Sequence, residues 1–364
     1  MQSLFPTEPA LLFDLGTSSI KYAHMPMDSN SPLSYLENPS CYAEPHDAQD
    51  MVGDKTEIKY GREAQKAHAT HDLKWCLKSG QIMEGPENTH SKEAFEKNVE
   101  LCYSQLQLDL NKQEMDNDEF ARGHPALITQ AANAAEKHTS WLAELFFEKI
   151  QAPFWVAKTQ AELSMMASGN PSGIILDMGH GVAHVVAVVN FNPLERSVER
   201  YNFAGEDLTR LLRGKFLDSC GNPPQGTWSQ PRWLRDATEM KETPGLFYVA
   251  ANYDEEILKY TTPESPLGTA KNDDGNWTAP NVTFQKNSLV TNQDDTWVGE
   301  VDYPVLGGQV RLGKQRFGLP EVLFNPKIAH LTQNVSVQKM VYDCVMASGD
   351  PDLLKNVYCS GCST

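Results

Sequence analysis

The chain has 364 residues, 40% of them hydrophobic, enough to bury a real core and too long for a single one, since single cores stop growing near about 250 to 300 residues. Its formal net charge of −17 argues against nucleic-acid binding, because phosphate backbones are held by clustered Lys and Arg that this chain lacks. No apolar run approaches a membrane span, and residues 1–9 carry neither a basic start nor a long apolar stretch, so the expectation is a cytoplasmic protein with no membrane insertion.

In chain order, Leu12-Phe13-Asp14-Leu15-Gly16-Thr17-Ser18-Ser19-Ile20-Lys21 reads as an apolar strand ending in Asp-x-Gly, a small-residue turn and a second strand. Residues 25–70 are rich in Pro, Ser, Asp and His and read as short strands and loops, with a strand expected at 56–60. Ser91 can cap a helix in which Phe95, Val99 and Cys102 recur at helical spacing. Another helix is expected over 133–150, with Trp141, Leu142, Leu145 and Phe146 inward. A helix over 159–168, with Glu162 read as a solvated charge, precedes Ile175-Leu176-Asp177-Met178-Gly179-His180-Gly181-Val182-Ala183-His184, which repeats the first strand and turn. From 217 to 304, clusters such as Gly221-Asn222-Pro223-Pro224 and Asn272-Asp273-Asp274-Gly275 signal loops. Val337, Val341 and Val345 mark a helix, Asp350-Pro351 starts another, and 357–360 returns to a strand. The seven cysteines read as buried free thiols, and Cys359 and Cys362 as neighbours around a turn, since no second Cys or His pair sits at metal-ligand spacing. Sequons at Asn276, Asn281 and Asn334 are read as chance.

The repeat points to a phosphate clamp. Glycines let backbone N–H groups face inward with no Cβ in the way, and such groups grip phosphate oxygens. Asp14 and Asp177, one at the end of each strand, cannot touch phosphate but can hold the waters of a hydrated Mg²⁺. Lys21 can reach back across its hairpin as a point charge on the outer phosphates.

These residues resemble the actin family. The resemblance is carried by the two clamp segments and, in the family's order, by Tyr60-Gly61-Arg62-Glu63-Ala64-Gln65, His124-Pro125-Ala126-Leu127-Ile128-Thr129, Ala167-Ser168-Gly169, Ala204-Gly205-Glu206-Asp207-Leu208-Thr209 and Pro320-Glu321-Val322-Leu323-Phe324-Asn325-Pro326. Sugar kinases and heat-shock chaperone ATPases share only the two phosphate turns. The resemblance implies a two-lobed α/β actin-like ATPase fold with mixed sheets flanked by helices. The first lobe would be 1–150 with a small outer subdomain at about 25–70, and the second 151–364 with a remodelled outer subdomain at about 205–304. It also implies a C-terminal part missing, because in actins the turn at Gly361 continues into a helix and a long tail. The loop at 43–54 is acidic where polymerising actins carry an adaptable hydrophobic plug.

The implied cofactor is ATP or ADP with Mg²⁺, bound by Asp14, Gly16, Thr17, Ser18, Lys21, Asp177, Gly179, His180, Gly181, Gly205 and Gly361, with the metal held through water by Asp14 and Asp177. Actin-type hydrolysis places a water with a Gln and a His. The His is His184, and Glu144 takes the Gln position, where a carboxylate can act as a general base but adds negative charge beside phosphate. His180 stands where the family has a second Asp, and Cys362 where it has a second glycine. The Lys and Glu that flank the base correspond either to Lys241 and Glu242 or, without gaps from Leu246, to Thr243 and Pro244. The expected function is therefore an actin-related structural subunit of a larger cytoskeletal or ciliary assembly, other protein subunits covering its C-terminal end, with the nucleotide a brace or lost and little or no hydrolysis. The alternatives are a filament-forming protein that hydrolyses Mg-ATP and a subunit of a chromatin-remodelling complex. A small-molecule kinase would need a carboxylate base for which the sequence offers no candidate.

Overall fold

The computed structural model describes residues 10–25, 33–45, 57–67, 71–113, 124–132, 136–216, 232–255, 270–271, 277–278, 301–305, 308–331 and 335–361. Two compact units emerge, Met1–Gly205 with Val341–Ser363, and Glu206–Met340 with Thr364. The strand at 155–159 is hydrogen-bonded into the sheet that contains the first clamp strand.

The first unit holds two sheets built on one plan. Strands β1 (Leu11–Leu15) and β2 (Ser19–His24) form an antiparallel hairpin. Strand β3 (Leu36–Pro39) extends it, while β4 (Cys41–Pro45), β5 (Lys59–Tyr60) and β6 (His71–Trp75) make a small separate sheet ordered β5-β4-β6. The strand expected at 56–60 is thus only two residues long, and the 43–54 loop lies outside the described residues beyond Pro45. Helix α1 (Gly61–Lys66) follows β5, and a second small hairpin joins β7 (Leu77–Lys78) to β8 (Gln81–Ile82).

Helix α2 (Ser91–Gln113) buries Phe95, Val99, Cys102 and Leu106, the expected face with one further turn. Ser91 is already helical, and its hydroxyl lies 3.2 Å from the Tyr42 hydroxyl. Strand β9 (Ala126–Gln130) then runs parallel to β1. Helix α3 (Glu136–Glu144) continues as a wider π-turn over Leu145–Lys149, and Trp141, Leu142, Leu145 and Phe146 all point into the core. There Phe146 meets Phe13 of β1 edge-on at 5.3 Å. Strand β10 (Trp155–Thr159) completes the first sheet in the order β10-β9-β1-β2-β3.

The second sheet repeats the arrangement. After helix α4 (Gln160–Ser168), strand β11 (Gly173–Met178), buried along its whole length, pairs antiparallel with β12 (Ala183–Val189). Short strands β13 (Asn192–Pro193) and β14 (Glu199–Tyr201) flank β12, and helix α5 (Gly205–Leu211) follows.

The second unit contains α6 (Arg232–Lys241), a ribbon of β15 (Ala270–Lys271) with β16 (Trp277–Thr278), a hairpin of β17 (Val301–Val305) with β18 (Gly308–Leu312), and α7 (Gln315–Phe324). The buried Arg316 on α7 donates to the carbonyls of Leu246 at 2.9 Å and Gly245 at 3.3 Å, which satisfies a charge that would otherwise be costly to bury. The sequons and most of 217–304 lie outside the described residues. Helix α8 (Val337–Ser348) is followed by a 3₁₀ turn over Pro351–Lys355 that the Asp350 carboxylate caps through the Asp352 N–H. Strand β19 (Val357–Ser360) then runs parallel to β11. Of the described cysteines, Cys41, Cys76, Cys102 and Cys344 are buried free thiols and Cys359 is exposed; Cys362 lies outside the described residues.

Candidate functional site

Both Asp-x-Gly segments are hairpins with two-residue tips, Thr17-Ser18 and His180-Gly181. The Gly16 N–H closes the first by donating to the Ser19 carbonyl at 3.1 Å, and the Gly179 N–H closes the second by donating to Val182 at 3.0 Å. These two glycines therefore shape the turns rather than offering their N–H groups to a ligand. A Cβ on Gly16 would sit 2.7 Å from the Ser19 carbonyl oxygen. The N–H groups of Thr17, Ser18 and Gly181 have no hydrogen-bond partner among the described residues, so they are the donors left for an anion.

The two tips touch. A Cβ on Gly181 would lie 2.7 Å from Thr17 Cγ2 and 2.8 Å from its Oγ1, so only glycine lets the turns pack this closely. Thr17 is fixed from a third side, because its Oγ1 accepts the Gly80 N–H at 3.2 Å from the tip between β7 and β8. The same tip is tied to the second sheet through Arg200, which donates to the Ser79 carbonyl.

Strand register then sets which side chains share the cleft, because residues paired directly across a ladder project to the same face. Asp14 is paired with Lys21 on β2 and with Thr129 on β9. Asp177 is paired with His184 on β12 and with Ser360 on β19, and His184 in turn with Arg200. Thr129 Oγ1 donates to Asp14 Oδ1, and Ser360 Oγ donates to Asp177 Oδ1 at 2.8 Å. Burial pushes the Asp177 carboxyl above its usual range, helped by the charge of Asp14, while the Ser360 bond and Lys21 pull it back. Asp14, Lys21 and Asp177 thus lie within electrostatic reach of one another, as two facing jaws require.

His184 is 2% exposed, and its Nε2 has no hydrogen-bond partner. Burial, with the nearby Arg200 cation adding to it, lowers its pKa to about 4, so the ring is neutral at pH 7. Gly205 donates its N–H to the Gly179 carbonyl at 3.2 Å, tying the start of α5 to the second turn. Gly361 has φ +110°, and a Cβ there would fall 2.1 Å from the Met178 carbonyl oxygen. His180 lies against the Trp75 ring at 5.9 Å between centroids.

Glu144 ends α3 exposed to solvent, because the inward face of that helix is taken by Trp141, Leu142, Leu145 and Phe146. The side chain beside the first aspartate is Gln160, whose Nε2 lies 3.4 Å from Asp14 Oδ1. Gln160 is the first residue of α4, and the helix start is fixed by a capping box: Thr159 Oγ1 accepts the Glu162 N–H at 3.2 Å, and Glu162 Oε2 accepts the Thr159 N–H at 2.9 Å. Glu162 is therefore a cap, also paired with Lys158 at 2.9 Å, and not merely a solvated charge. The signal was in the sequence as Thr159-x-x-Glu162 after a strand, which puts the intervening Gln160 at the strand's C-terminal end. Lys241 and Glu242 belong to the second unit, with their charged atoms 4.0 Å apart.

The comparisons with known proteins agree with this plan. The profile of the family described as Actin matches residues 6–364, nearly the whole chain. The chain belongs to the actin family. An "Actin-like protein" of Neurospora crassa is 25% identical over 244 residues, covering 66% of this chain and 54% of that protein, so the matched stretch spans about half the relative's length. Members of this family generally bind a nucleotide with a divalent metal, and the residues here fit such a ligand: three tip N–H groups with no partner among the described residues, and an orphaned buried imidazole nitrogen. Among the described residues no group of three or more His, Cys, Asp or Glu could hold a metal ion by itself. No described helix is long and apolar enough to cross a membrane.

Proposed function

We propose that this actin-family chain binds Mg-ATP between its two Asp-x-Gly hairpins and hydrolyses the terminal phosphate. One observation carries the reading: Gln160 stands beside Asp14 while His184, in register with Asp177, keeps a neutral buried Nε2 without a partner. The Gln and His that the family uses to place water are then both present, and the expectation of little hydrolysis, which leaned on Glu144, loses that support. When bound, Mg²⁺ supplies charge neutralisation at the terminal phosphate. The Thr17, Ser18 and Gly181 N–H groups take phosphate oxygens, and Lys21 adds a point charge. Gln160 can donate its amide to Asp14 while its carbonyl accepts from a water, and His184 Nε2 can accept from the same water. A ring with a pKa of about 4 orients that water better than it deprotonates it, so slow turnover is the expected outcome.

A second reading, the nucleotide as a retained brace, is favoured by His180 in place of a carboxylate in the second turn, because an imidazole lacks the negative charge with which a carboxylate holds the waters of a metal ion. The experiment is single-turnover phosphate release from the chain with Mg²⁺ and ATP. Gln160→Ala and His184→Ala should each slow release by about 10²-fold while retaining nucleotide. Retention with no release in the unmodified chain selects the brace, and failure to retain Mg-ATP refutes both. Other protein subunits are the proposed partners, supported by the exposed Tyr342, Met346, Leu354 and Val357 toward the end of the chain.

A further inference from the structure

The two half-sites share a feature that neither the Asp-x-Gly repeat nor the family assignment contains. Each clamp aspartate is met, in register, by a hydroxyl residue on the strand that runs parallel to it: Thr129 on β9 for Asp14, and Ser360 on β19 for Asp177. Both hydroxyls donate to the same oxygen, Oδ1. Those parallel strands enter from distant parts of the chain, so the match comes from the shared hairpin-plus-parallel-strand plan and not from a local motif.

We propose that Thr129 and Ser360 are paired positioning residues that engage Oδ1 of Asp14 and Asp177 and so present Oδ2 of each to the water shell of a divalent cation. This deepens the proposed Mg-nucleotide site and rests on it. A carboxylate can rotate about its last torsion, which is broad and roughly two-fold, so an unheld carboxylate offers its lone pairs over a range of directions. A hydroxyl donated from a strand of fixed register removes that freedom before the ligand arrives, the same service that carboxylates and carbonyls give to metal-binding histidines. The two aspartates are not equally dependent on it. Asp14 also has Gln160 at 3.4 Å, whereas Ser360 is the one hydrogen-bond donor to Asp177 among the described residues, and Asp177 is 8% exposed. Ser360 should therefore matter more.

The test uses Ser360→Ala and Thr129→Val, with Ser360→Thr and Thr129→Ser restoring the hydroxyl. ATP binding to the full chain is measured by calorimetry across Mg²⁺ concentrations and again in EDTA, alongside melting of the unliganded chain. The expected result is a 10- to 100-fold rise in the Mg²⁺ needed for half-saturation in Ser360→Ala, a smaller rise in Thr129→Val, little change in metal-free ATP binding, and recovery in the hydroxyl-bearing variants. An unchanged Mg²⁺ requirement while the unmodified chain binds Mg-ATP overturns the positioning role alone. So does an equal loss with and without metal, which would mark the two residues as structural. Failure of the unmodified chain to bind Mg-ATP overturns the proposed function and this role together.

Discussion

Gly181→Ala tests the contact on which the cleft depends. The added Cβ would stand 2.7, 2.8 and 3.0 Å from three atoms of the Thr17 side chain, all well inside ordinary van der Waals distance. Thr17 cannot easily swing aside, because it is buried and its Oγ1 holds the Gly80 N–H at 3.2 Å. Gly181 has no positive φ, so the penalty is overpacking and not backbone strain, and overpacking of this kind costs about 1–3 kcal/mol. For a unit of this size that is a fall in melting temperature of about 2–4 °C per kcal/mol, read by scanning calorimetry. The cause is then isolated by a double-mutant cycle with Thr17→Ala, which removes the two nearest atoms at the cost of the Gly80 bond, about 1 kcal/mol. If the turns touch, the double variant is less destabilised than the two singles combined, by about 1 kcal/mol or more. Strict additivity, or a Gly181→Ala chain that melts with the unmodified one, would refute the opposed-hairpin geometry.

Gly361→Ala should be worse, at about 3 kcal/mol or more, because a positive φ and a carbonyl 2.1 Å away act together; Gly85→Ala, with φ +118° and open space, serves as the strain-only control at about 1 kcal/mol in the same calorimetry. His184 makes stability pH-dependent. The unfolded ring takes a proton near 6.5 and the folded ring only near 4, so stability present above 6.5 is lost as pH falls toward 4, by roughly 3 kcal/mol at 1.36 kcal/mol per pH unit; His184→Gln should lack this loss, so the stability gap between the two chains, read from denaturant midpoints, should change by that amount over the window. Glu162→Ala removes the capping box and should cost about 1 kcal/mol, with Glu162→Gln retaining most of it. Glu144→Ala should leave phosphate release unchanged, in contrast to Gln160→Ala, and a loss of release in Glu144→Ala would reinstate the original assignment.

Much of this architecture is written locally. The apolar runs and Asp-x-Gly turns around Asp14 and Asp177 mark the two hairpins, and the 3.6-residue spacing of Phe95, Val99 and Cys102, or of Trp141, Leu142, Leu145 and Phe146, marks the faces that helices α2 and α3 bury. Those signals are legible because a turn or a helix face depends on neighbours a few residues apart. The rest of the site is not local. Gln160 reaches Asp14 because β10 and β9 stack beside β1; Thr129 and Ser360 reach the aspartates because two parallel strands arrive in matching register. Trp75, at the end of β6 in the small β5-β4-β6 sheet, meets His180 at the tip of the second hairpin. Which face of α3 turns inward, leaving Glu144 exposed, is likewise decided by packing. The sequence by itself determined the family, the twin turns and the inward faces, all set by short-range spacing. Only the tertiary structure decided which side chains complete the cleft, because strand register joins residues more than a hundred positions apart.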